Sequence, residues 1–126
     1  MGTVVHLRQR DAIDVDSNRI AGMFRRMGAV QAEMTIMTAM GHLARCLRDT
    51  ETALRDNKID QVPQYTQSAR TYAEDIGLIS LAAILAQLES ACQGQDNAAI
   101  HALWQRAARV GDRSFVDLWE LPLLQM

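Results

Sequence analysis

The chain has 126 residues, a formal net charge of −2 and 22% charged residues, with basic side chains scattered rather than clustered. That length is one domain, able to bury somewhat under about 70% of its unfolded surface without metals or disulfides. The balanced charge leaves no electrostatic footprint for nucleic acid or an anionic membrane, so neither is expected as a partner. Glycine, proline and aromatic residues are sparse and β-branched clusters are absent, which predicts an all-α domain.

Residues 1–15 mix Val4 and Val5 with His6, Arg8, Arg10, Asp11 and Asp14 and show no sustained period, so a flexible N-terminal arm is expected there, with the helical domain over 16–126. Met1 and Gly2 invite comparison with a myristoylation signal, but His6 stands where Ser or Thr is required. Asp16 and Ser17 then supply an N-cap before an apolar stripe of Ile20, Met23, Phe24, Met27, Val30, Met34, Met37, Met40, Leu43, Leu47 and Leu54. The stripe is one very long helix or two. A break near Gly28 is expected, because an interior glycine costs about 1 kcal/mol relative to alanine. This gives helices over about 16–27 and 29–56. Five of the seven methionines lie between Met23 and Met40. They are either flexible core filling or an adaptable surface for a homodimer through the first two helices.

A third helix is predicted from about Asp60 to Ile76, with Pro63 tolerated in its first turn, where no backbone donor is needed. Gly77 ends it. The fourth, about 78–92, is apolar around most of its circumference through Leu78, Ile79, Leu81, Ile84, Leu85 and Leu88, and is expected to be the most buried element. Gly94 closes it and Asp96 or Asn97 caps a fifth, whose face carries Ile100, Leu103, Trp104, Ala107 and Val110. Gly111 and Asp112 either bend or end that helix, and Phe115, Leu118 and Trp119 continue an apolar face to about Pro122.

One stretch departs from simple periodicity: Gln67, Ser68, Ala69, Arg70 and Thr71 through Ile76 and Gly77, followed by Leu81–Ala82, Leu85, Leu88–Glu89 and Gln95–Asp96. It resembles the phosphoacceptor region of histidine-containing phosphotransfer (HPt) domains, the four-helix carriers of two-component relays. Their pattern is H-x-L-K-G-x-x-x-x-L-G, then L-A, an apolar residue, L-E and G-D. Laid on without a gap, it puts Gln67 at the histidine, Arg70 at the lysine and Thr71 at the glycine. Ala53 and Leu54 fall where the family carries an Ala-Leu pair, so the resemblance spans about residues 45–105. It implies an HPt-like four-helix up-and-down bundle with an additional N-terminal helix.

Helical geometry at 100° per residue turns Val62, Tyr65, Thr66, Ala69, Tyr72, Ala73 and Ile76 toward the core and Gln67 outward. Asp60, Gln64, Thr71 and Glu74 share its face, with Arg70 at the flank. Glutamine cannot carry phosphate, because its amide nitrogen lone pair is delocalised into the carbonyl, whereas a neutral imidazole nitrogen attacks an aspartyl phosphate directly. Arg70 keeps a positive charge, while Thr71 puts a β-branched side chain where the family leaves bare helix.

The expectation is a non-catalytic module that docks a response-regulator receiver domain or a histidine kinase through Gln64, Gln67, Arg70, Thr71 and Glu74. The plain alternative for these residues is a solvated polar face with i, i+4 pairs. Two other functions stay open: a structural protein dimerising through its Met-rich helices, and an active phosphotransferase using His42, about 200° from Met40 on the second helix, or His101. Neither histidine has a lysine three residues on or a glycine four on.

No metal-ligand cluster, glycine-rich phosphate loop or Ser/His/Asp set is present, so no enzyme activity, metal or cofactor is expected. Cys46 and Cys92 fit no metal spacing and read as reduced, buried thiols. With no signal segment and no apolar run long enough to span a bilayer, a cytoplasmic location is expected.

Overall fold

The computed structural model describes residues 14–125. Among them are six α-helices, a 3₁₀ turn and no strand: α1 (Ser17–Met27), α2 (Ala29–Arg55), the 3₁₀ turn (Ile59–Gln61), α3 (Val62–Asp75), α4 (Ile79–Gln93), α5 (Asn97–Trp119) and α6 (Pro122–Gln125). The protein is all-helical, and none of the described helices is long and apolar enough to cross a membrane.

The helix boundaries follow local chemistry. The Asp16 carboxylate accepts from the Arg19 N–H at 3.1 Å and opens α1. Gly28, at φ 83°, ends it and separates α1 from α2, so the long stripe is two helices. Gly41 does not interrupt α2. The third helix starts later than expected, because residues 59–61 form a separate 3₁₀ turn before Val62, and Pro63 sits in its first turn. After α4, Gly94 keeps an ordinary right-handed conformation and Gln95 takes the left-handed one, at φ 56°. Asp96 caps α5 by accepting from Ala99 N–H at 3.1 Å.

Gly111 neither bends nor ends α5, which runs unbroken through it to Trp119. A Cβ at Gly111 would lie 3.5 Å from Leu47 and 3.8 Å from Leu81, ordinary contact distances, so α5 faces α2 and α4 here without the fold requiring a glycine. Helices adjacent in the chain pack on one another from α1 to α5, and α2 also touches α5. The larger part of the core gathers Ile20, Ile36, Leu43, Ala69, Ala73 and Ile76 around Leu81 and Leu85 of α4. A second cluster holds Leu54, Val62, Leu88, Cys92 and Ile100. Helix α4 supplies four buried residues to the first cluster and two to the second, as many as the much longer α2, although Ile79 is 49% exposed at its first turn.

The orientation of α2 differs from the expected stripe. Its inward residues are Ala32, Ile36, Ala39 and Leu43, whereas Val30, Met34 and Met37 are 75%, 65% and 55% exposed. This helix carries two apolar faces, and the neighbouring helices pack on the one whose alanines permit close approach. Met23 is buried and Met40 half-buried, so the methionines divide between core and surface.

Residues 1–13 of the expected arm lie outside the described residues. Val15 forms an isolated antiparallel bridge with Leu78. The flanking bonds are Asp16 N–H to Gly77 C=O at 2.8 Å, Ile79 N–H to Asp14 C=O at 3.1 Å and Asp14 N–H to Ser80 Oγ at 2.7 Å. Asp14 and Val15 are therefore tied to the turn between α3 and α4.

Candidate docking face on the third helix

Helix α3 presents two unlike sides because its polar and small residues alternate at helical spacing. Val62, Thr66, Ala69 and Ala73 are buried, and the Thr66 hydroxyl is satisfied by donating to Pro63 C=O at 3.2 Å. Gln64, Gln67, Thr71 and Glu74 are exposed on the opposite side, and Arg70 is half-buried at its edge. The five residues singled out from the sequence therefore lie together on one helix, with Gln67 central and open to solvent.

Arg70 is not a free cation. Its Nε donates to Glu89 Oε2 at 2.8 Å and its Nη2 to Oε1 at 3.3 Å, a two-pronged bond joining α3 to α4. Hydrogen bonding and charge from Glu89 push the guanidinium still further toward its protonated form. Two of its five donors are thereby used, and the planar group is held in one orientation at the rim of the face. The Thr71 hydroxyl donates to Gln67 C=O at 3.1 Å, so it is turned back into its own helix instead of toward a partner.

Beside this polar row lies a shallow groove of about 370 Å³. Arg70 and Glu74 form its α3 wall, Ile79, Ala82, Ala83 and Ala86 its α4 wall, and Asp16 and Arg19 its end. The Arg19 Nε donates to Asp75 C=O at 2.9 Å, while its 4.0 Å approach to the Asp75 carboxylate is an exposed pair of little energetic weight. Polar α3 and small-residue α4 together make a surface that a folded partner can approach closely, with hydrogen-bonding groups on one side and apolar contact on the other.

His42 and His101 are exposed, on α2 and α5. The His42 ring stacks on Tyr72 at 5.1 Å between centroids and 18° between planes, which places it at a second, larger groove of about 930 Å³ between α1, α2 and α3. Burial pushes the Cys46 and Cys92 thiols up from their ordinary range, so both stay protonated and weakly nucleophilic near neutral pH. Among the described residues no cluster of three or more His, Cys, Asp or Glu could hold a metal.

Compared with known proteins, the chain matches no family model, no curated protein and no solved structure. The site is therefore read from its own residues. Sequence reasoning placed the row on α3 but missed Glu89 as the partner of Arg70, the alanine wall with Ile79 and the His42–Tyr72 stack. Glu89 and Arg70 are 19 residues apart, and only the turn at Gly77 brings them together. The available signal was their opposite charge on two helices joined by that turn.

Proposed function

We propose that this protein is a non-catalytic signalling module, built like HPt domains as a four-helix up-and-down bundle of α2–α5 with α1 added, which docks a receiver domain or a histidine kinase of a two-component relay without carrying phosphate. The observation that carries this reading is the exposed Gln67 at the centre of the α3 row, flanked by the oriented Arg70. At the position the resemblance assigns to the phosphohistidine, the side chain can donate and accept hydrogen bonds but cannot attack phosphorus. The module would occupy the phosphoryl-bearing face of its partner and so block or bias phosphoryl flow. Arg70 supplies charge-assisted donors near the phosphoryl oxygens, Gln64 and Gln67 supply neutral ones, and the alanine wall of α4 lets the partner's rim come close. A cytoplasmic location belongs to the same reading.

The test is binding of the wild-type chain to a panel of purified receiver domains and histidine kinases of the source organism, followed by calorimetry. At least one should bind. Arg70→Ala should weaken it several-fold and Thr71→Trp should abolish it, with circular dichroism unchanged in both. A partner phosphorylated with radiolabel should pass no acid-labile phosphate to the chain. Absence of any binder, or equal affinity in both variants, removes the proposal. Label taken up by wild type and lost in His42→Ala or His101→Ala would replace it with an active phosphotransferase.

A further inference from the structure

The outer face of α2 carries an apolar seam that no described residue covers. Val30, Met34, Met37, Gly41, Ala44 and Arg48 follow one another at intervals of four, three, four, three and four. That is the 3.5-residue repeat by which one helix lies along another. Val30, Met34 and Met37 are among the most exposed large hydrophobic residues of the chain, and a Cβ at Gly41 would meet nothing within 4 Å. The seam is bulky toward the N-terminal end of α2 and hollow at Gly41 and Ala44.

We propose that a second copy of this chain covers the seam, with α2 packed antiparallel on α2 of the partner about a two-fold axis. The order of side chains argues for this occupant. Antiparallel pairing sets Met37 beside Gly41 and Met34 beside Ala44, so each projection meets a notch, and the two-fold axis repeats both contacts. Parallel pairing would put methionine against methionine, leave a gap at glycine and stack Arg48 on its own copy. The antiparallel register instead brings Arg48 to the level of Val30, where its aliphatic stem covers the valine and its charged head reaches water.

The seam runs over 19 residues, whose 18 rises of 1.5 Å give a length of about 27 Å. Met27, which shares a groove with Val30 and Met34, widens it. Three large apolar side chains more than half exposed in one row, with Met27 beside them, form a continuous patch and not singly scattered surface hydrophobes. A contact limited to one helix from each copy falls at the small end of specific interfaces, so a reversible dimer is expected. This inference is independent of the α3 face: an exposed α2 seam and an exposed α3 row can be occupied together.

The test is sedimentation of the full chain over a concentration series. Wild type should pass from monomer to dimer in the micromolar range, and Met37→Glu should raise the dissociation constant at least a hundredfold while its melting curve stays that of wild type. Register is read by mild oxidation of Met37→Cys mixed with Gly41→Cys, with the wild-type chain as the blank for Cys46 and Cys92. The mixture should cross-link at least tenfold more than either variant alone. A wild type that is monomeric at millimolar concentration, a dimer indifferent to Met37→Glu, or cross-linking strongest in Met37→Cys alone would each overturn the proposal. So would dimerisation only after removal of residues 1–13, which would make that segment the occupant.

Discussion

The outward face of α3 and the outward face of α2 are built on the same plan and finished differently. Both helices bury alanines on the inner side, Ala69 and Ala73 in one and Ala32 and Ala39 in the other. Outside, α3 shows Gln64, Gln67, Thr71 and Glu74, while α2 shows Val30, Met34 and Met37. Folding demands little of either outer face, so on the two proposals above their contrast would reflect what each one meets. A polar row with an oriented cation suits a partner that comes and goes, whereas an apolar seam suits a surface covered for much of the protein's life.

The contrast can be broken most severely from beneath. Leu85→Ala empties a fully buried position in the core shared by both faces and should cost about 2–5 kcal/mol. Chemical denaturation should register that loss, and binding through α3 and self-association through α2 should fall together. A smaller effect is expected at Gly77, where φ is 75° and a Cβ would stand 3.0 Å from Asp16 C=O. Gly77→Ala should destabilise by at least about 1 kcal/mol, the cost of a left-handed conformation for a side-chain-bearing residue. Because Asp16 opens α1 while Gly77 ends α3, the melting temperature should drop without separate loss of one face. The mildest change is the Met37→Glu variant described above, whose stability should stay within about 0.5 kcal/mol of wild type. It therefore sharpens the comparison by touching association and not folding.

Much of this arrangement could be read along the chain. Asp16, Gly28, Pro63 and Asp96 mark helix ends by local chemistry, and the spacing of Val62, Thr66, Ala69 and Ala73 was enough to turn Gln67 outward. The orientation of α2 was harder, because its methionines dominate any hydrophobic count while alanine barely registers. Alanine nevertheless decides where helices approach closely, and it drew the core to Ala32 and Ala39. Through-space pairings were least legible. Arg70 with Glu89, His42 with Tyr72 and Val15 with Leu78 depend on how helices are set against one another, which local periodicity does not encode.

The Val15–Leu78 bridge has a consequence for the order in which the molecule assembles. It joins positions more than 60 residues apart, as the Asp14–Ser80 bond separated by 66 residues shows. Closing so long a loop costs entropy that is repaid only once the intervening helices have shortened the path. We therefore expect α1 to be the last element secured. Pulse-labelled hydrogen exchange during refolding should protect amides of α3 and α4 before those of Asp16 and Ile20, and simultaneous protection would refute that order. On the ribosome, the inner face of α2, with Ile36 and Leu43, would wait uncovered until α3 and α4 have emerged. The segment before α1 can be tied down only after the turn between α3 and α4 has been made, so the N-terminal end of this domain is the last part to leave the reach of chaperones.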